Sequence, residues 1–407
     1  MGPSGRLILI AATTALTVTA CGEPASQRAA EDVLFLRSGS GVAVVETGAN
    51  SPTYKNDDAV PSGDWSTVVR GDIHNGTTDV VATDPSSGVD RWADVIPGRL
   101  RAQVVSHDGN LVALSPRGER YYRYGRSRTR LIIAGRGLSE ERIYTLDGNY
   151  EPEAFSRDGS NLFVVSYLPA RAPTQYQVRR LDLRTGRVHA VFTPHAELQR
   201  PMGGTARIQT ASPDGSHLYT LYTVKDGSGH RHAFIHVLNL DDLWAHCIDL
   251  PDDFATTAEK STALTSSPDG KHLYVANTSA DAVADIDTEA LSVVRTGTFD
   301  FDSRASAHAA HDADGSLYIA SGYWVVAIDT AELTERARWD LPDRIKGLQI
   351  SSDAATLYVG LDNRVARLDA VSGETLELVD PPGVRRISRF GPVLQTEDEE
   401  PTLTCAC

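Results

Sequence analysis

One short pattern recurs along most of the chain: a serine, one variable residue, an Asp-Gly pair, and then a run in which apolar side chains alternate. Copies start at Ser106 (Ser-His-Asp-Gly-Asn-Leu-Val-Ala-Leu), Ser156, Ser212 and Ser267 (Ser-Pro-Asp-Gly-Lys-His-Leu-Tyr-Val-Ala). A fifth, Asp312-Ala-Asp-Gly-Ser-Leu-Tyr-Ile-Ala, has aspartate in the serine position, and a glycine-less copy runs from Ser352-Asp353 through Leu357-Tyr-Val-Gly. The turn aspartates are Asp108, Asp158, Asp214, Asp269, Asp314 and Asp353, spaced 39 to 56 residues apart. Asp-Gly supplies the positive φ that a tight turn needs, and the β-branched and aromatic residues after it suit a pleated strand. Each copy therefore predicts two neighbouring strands. A second turn follows in most copies, as at Leu181–Val188, Ile286–Leu291, Ile328–Leu333 and Leu368–Thr375, and would join a third strand to a fourth.

A period of this length with four strands per unit fits one blade of a β-propeller. The expected fold is all-β, a single β-propeller of about seven four-stranded blades over residues 31–395. The count comes from one unit around Trp65 to Val95, the six aspartate copies and the strands left over at each end. Strands left over at the ends, Val33–Leu36 with Gly41–Val45 and a stretch from Val384 to Leu394, would share a sheet and close the ring, hiding edges that would otherwise aggregate.

Residues Ser267 to Thr296, with Pro268-Asp269-Gly270-Lys271, Leu273-Tyr274-Val275-Ala276-Asn277 and Asp285-Ile286-Asp287-Thr288, closely resemble the YVTN-type surface propeller repeat. The likeness is looser over residues 104–380. It implies a fold and an extracellular habit, because the motif is structural in that family. Ala82-Thr-Asp84-Pro-Ser-Ser87-Gly88-Val-Asp-Arg-Trp92 resembles the tryptophan-docking repeat of quinoprotein-like propellers, with Ser87 where threonine is usual. In that repeat the tryptophan packs between blades.

The N-terminus carries Arg6, an apolar run from Leu7 through Val18, and then Thr19-Ala20-Cys21-Gly22. The run is too short to favour a spanning helix. Small residues ahead of a cysteine resemble the bacterial lipobox, which implies cleavage after Ala20 and lipid attachment to Cys21. An ordinary secretory signal with cleavage nearby is the alternative. On this reading residues 1–20 are a lipoprotein signal peptide, 21–30 a tether and 396–407 an acidic tail. The body would be extracytoplasmic, held by lipid to the outer face of the membrane. The formal net charge is -15, which makes nucleic acid and anionic lipid poor partners. Only five lysines occur (Lys55, Lys225, Lys260, Lys271 and Lys346), an arginine bias associated with GC-rich genomes such as those of actinobacteria. Beyond Cys21 the cysteines are Cys247, Cys405 and Cys407; a disulfide from Cys247 to one of the C-terminal pair is preferred to a strained Cys405–Cys407 ring.

No catalytic constellation is legible. There is no Gly-x-Ser-x-Gly, no phosphate-binding glycine loop, and no Cys-x-x-Cys-His. His230, His232 and His236 share a strand face but lack a completing ligand, and His308 and His311 precede a plain Asp-Gly turn, so no metal and no cofactor is assigned. A propeller offers its channel mouth, on loops entering the innermost strands and loops joining second to third strands, and the longest of these are Thr193 to Ala206 and Pro251 to Ser261. Arg171, Tyr176, His195, Arg200, Arg304, Tyr323, Trp324 and Arg364 are singled out as exposed groups able to grip a polar or anionic partner. A non-enzymatic binding or scaffold module with a protein or cell-envelope ligand is favoured. A lactonase-like hydrolase or quinoprotein-like oxidoreductase stays as the alternative.

Overall fold

The computed structural model describes residues 32–38, 41–47, 51–117, 124–193, 201–225, 228–255, 260–302, 305–381 and 387–395. They form eight antiparallel four-stranded sheets. Seven are continuous in sequence and are numbered here as blades: the first at residues 60–97, the second at 100–147, the third at 149–190, the fourth at 205–250, the fifth at 262–298, the sixth at 307–340 and the seventh at 347–379. The eighth takes three strands from the N-terminal end, Asp32–Ser38, Gly41–Glu46 and Tyr54–Asn56, and one from the C-terminal end, Ile387–Gln395. First strands of successive blades face one another around a common axis, and Ile387–Gln395 takes its place beside the first strand of the seventh blade.

The all-β expectation holds, but the count of about seven blades is corrected to eight. The two chain ends do more than close a ring of seven: together they make a complete further blade. Its strands come from opposite ends and carry no aspartate turn, so a count of turn copies passes over it.

The turn copies that begin with serine are built alike, whereas in the sixth blade the Asp312 carboxylate takes the serine's place and accepts from the Asp314 and Ser316 amides. In the fifth blade Ser267 Oγ donates to Asp269 Oδ1 at 2.6 Å and accepts from the His272 amide at 3.0 Å, while Asp269 Oδ1 accepts from the Lys271 amide at 3.1 Å. Gly270 takes the left-handed φ of +73° between them. The hydrogen bond from Ser267 leads in holding the Asp269 carboxyl below the usual range. At Asp214 burial opposes ionisation, yet the bonds from Ser212 and Ser216 prevail and the carboxyl falls to about 2.

Two copies depart from the written pattern. The first blade turns at Ser62-Gly63-Asp64-Trp65, with the same 2.6 Å Ser62–Asp64 bond and with Trp65 at φ 60° where other copies have glycine. Trp65 is held there by packing edge-to-face on Phe35 of the closing blade, ring centroids 5.8 Å apart. In the seventh blade the capping serine is Ser351, one residue earlier than the sequence suggests, and Ala354 takes the positive φ.

Blades interlock through their outer strands. Trp92 of the first blade donates its indole N–H to the Gly109 carbonyl of the second at 3.0 Å, and the Tyr144 hydroxyl of the second donates to the Leu183 carbonyl of the third at 2.5 Å. Trp339 of the sixth blade lies against Gly373 of the seventh so closely that a Cβ there would fall 2.3 Å from the indole. Apolar clusters fill each seam, such as Ile235, Val237, Leu273 and Ile286 between the fourth and fifth blades.

Candidate functional site: the channel mouth

Strict up-and-down order sorts the connections onto two faces. The aspartate turns lie on one. The loops between blades, and those joining second to third strands, open on the other together with the channel mouth. Arg171, Tyr323 and Arg364 lie on these loops and Trp324 opens the strand Trp324–Asp329; all four are exposed. Tyr176 corrects the sequence reading: it is 6% exposed and stacks on Tyr222 at 4.9 Å, so it packs the seam between the third and fourth blades. His195, Arg200 and Arg304 lie outside the described residues, as do Cys21, Cys405 and Cys407. Cys247 is half-buried on the strand Ala245–Leu250, where burial pushes its thiol up to about 12. A thiol held so far from ionisation is a poor nucleophile.

Two surfaces of the mouth face carry recognisable chemistry. The first is a projecting aromatic pair on the sixth blade, Tyr323 at 43% and Trp324 at 37% exposure. The Arg338 guanidinium lies 5.3 Å from the Trp324 ring centroid, and that of Arg344 lies 5.9 Å from Tyr323, both within cation–π range. Arg338 is fixed by a two-pronged pairing with Glu335, the closer contact 2.7 Å, and by the Asp300 carbonyl at 2.7 Å.

The second is a polar cavity of about 310 Å3 inside the channel, walled by the first strands of the fourth to seventh blades. Arg207, Lys260, Thr262, His308 and Gln349 are among the residues that line it. The Arg207 Nε donates to Thr223 Oγ1 at 2.6 Å, which orients the guanidinium. A neighbouring cavity of about 390 Å3 shares Arg207 and adds Lys225 and Arg231.

None of these cavity residues is on the sequence-derived list, although the loops named there end beside them. Lys260 falls within Pro251 to Ser261 and Arg207 follows Thr193 to Ala206. The scarcity of lysine was the available signal, since two of the five line these cavities.

The histidines separate. His230 and His232 approach at 4.7 Å between ring centroids near the edge, while His236 is buried at 6% exposure. Among the described residues no group of three or more His, Cys, Asp or Glu side chains is placed to hold a metal ion.

No family model matches the chain, and no curated protein sequence matches it. Solved structures do. AztD from Citrobacter koseri aligns over 91% of this chain and 99% of its own with a TM-score of 0.55 at 13% identity, and its apo form aligns with a TM-score of 0.53. Sqt1 from Saccharomyces cerevisiae aligns over 86% of this chain and 90% of its own, with a TM-score of 0.50 at 9% identity. The fold is a β-propeller. At such identities the likeness is one of architecture, and function in this propeller is argued from its own side chains.

Proposed function

We propose that this propeller is an exported lipoprotein, anchored through acylated Cys21, that binds a protein or cell-envelope ligand on its channel-mouth face without turning it over. The observation that carries the binding half is the exposed Tyr323–Trp324 pair with Arg338 and Arg344 against its rings. Tryptophan, tyrosine and arginine dominate the energetics of protein interfaces, and here the two aromatic residues sit where a tight turn meets the strand Trp324–Asp329. The lipobox-like Thr19-Ala20-Cys21-Gly22 and the YVTN-like repeat at Ser267 to Thr296 support the surface location.

The test has two arms. Full-length protein produced in a bacterial host is labelled with an alkyne fatty acid; label that disappears in Cys21→Ser supports the anchor, and label that persists rejects it. Cell-surface crosslinking then compares the parent with Tyr323→Ala/Trp324→Ala. A specific adduct lost in the double variant supports the binding face, whereas an unchanged adduct pattern rejects it.

A further inference from the structure

We propose that the channel cavity between the fourth and seventh blades is a binding site for a small ligand bearing a carboxylate or phosphate group, held by Arg207 and Lys260. This deepens the binding reading above and rests on it for its biological setting, but it stands on a different set of residues.

Charge is the first argument. Acidic side chains outnumber basic ones 54 to 39 over the whole chain. The cavity wall reverses that balance: among the described residues it holds two permanent cations and a histidine, with no carboxylate. Side chains able to hydrogen-bond, among them Thr210, Ser306 and Gln349, fill out the polar lining. Cations focused in a cleft with low-dielectric walls attract anions more strongly than the same charges on an open surface.

The flanking cavity extends the same field. Lys225 and Arg231 are direct cross-strand partners on the fourth blade. Both line the cavity that shares Arg207, so the positive charge runs from the rim down into the channel.

A third, independent observation comes from Thr262. It lines the channel cavity and is 4% exposed, yet its buried hydroxyl has no hydrogen-bond partner within the protein. A buried hydroxyl without a partner is costly; closed to the cavity as it stands, it gains an acceptor when χ1 turns it toward an oxygen of a bound anion. Size then selects the ligand class. A volume of about 310 Å3 corresponds to roughly ten water molecules, which suits a di- or tricarboxylate or a sugar phosphate and excludes a folded domain.

The experiment is calorimetric titration of the full-length protein in detergent with citrate, with inorganic phosphate and with glucose. Saturable binding of citrate or phosphate but not glucose is expected, weakened by added salt. Lys260→Gln should weaken it about ten-fold and Thr262→Val several-fold. Thr262→Val should melt no lower than the parent, because it removes an unpaired buried hydroxyl, so its loss of binding cannot be put down to misfolding. Citrate alone binding assigns carboxylate, and phosphate alone binding assigns phosphate. The proposal is overturned if neither anion binds saturably, or if binding is the same in both variants. Tyr323→Ala/Trp324→Ala should leave anion binding unchanged, so a failed surface-partner test and a failed anion test are told apart.

Discussion

At the scale of single residues the turn serines do work that glycine and aspartate alone do not. Ser267 is both donor to Asp269 and acceptor from the His272 amide, so Ser267→Ala strands one partner on each side of the turn. A loss of about 1 kcal/mol is expected, read as a lower urea midpoint at unchanged slope. Gly373 makes a stronger demand. Its φ is +72° and its Cα hydrogen faces the Trp339 ring, so Gly373→Ala strains the backbone and displaces the indole together. That variant should cost at least about 2 kcal/mol and lower the melting temperature by several degrees. The Ser-x-Asp-Gly copies were legible because each carries its own hydrogen bonds within six residues. Trp65 was not, since packing on Phe35 overrides the local preference for glycine there, and Ala354 takes the positive φ with no glycine to mark it.

At the scale of elements, the junction between the third and fourth blades sets a half-buried carboxyl and a buried imidazole against each other. Burial, assisted by neighbouring Glu151, pushes the Glu153 carboxyl up to about 7 against the hydrogen bond it accepts from Gln209 at 2.7 Å. Gln209 also bonds Thr220, whose strand partner is His236, and burial pushes that imidazole down to about 4. The native state thus binds a proton at Glu153 that the unfolded chain releases above about pH 4.5; this stabilisation is complete in acid and is lost as pH rises through about 7. His236 behaves oppositely: its stabilisation is present above about pH 6.5 and is lost as pH falls through about 4. Each contributes on the order of 2 kcal/mol, and in the shared window the slopes offset. Glu153→Gln keeps the carbonyl acceptor for Gln209 and should leave a protein that loses stability, relative to the parent, as pH falls from about 7 to 4.5. His236→Leu should show the reverse slope. Urea midpoints measured across that range check both, and parallel profiles for parent and variants would refute the offset. No sequence pattern marks this junction, because Glu153, Gln209 and His236 belong to three different strands of two blades.

At the scale of the whole molecule, the blade period gave the architecture but not its closure. Seven continuous blades and the eighth, divided one, were separable only once the Asp32–Ser38 strand was seen paired to Ile387–Gln395, with Asp32 opposite Gln395 and Leu36 opposite Phe390. The channel cavity was illegible for the same reason: Arg207, Lys260, His308 and Gln349 come from four successive repeats and meet only around the axis. Deleting residues 387–407 should leave Asp32–Ser38 with an open hydrogen-bonding edge and uncover the side of the seventh blade's first strand that Ile387–Gln395 lies beside. Such a protein should elute as soluble aggregate on size-exclusion chromatography, whereas deleting residues 396–407 should leave a monomer-sized peak.

The divided blade also imposes an order in time. A chain is made from its N-terminus, so the strand at Asp32–Ser38 arrives first and waits for the strand that completes it until more than three hundred residues have followed. The intervening blades can each assemble from local contacts, but the last contact to form spans nearly the entire chain, and loops of that length close slowly. Release of the C-terminal segment, not any step within a repeat, therefore sets when the molecule becomes a ring.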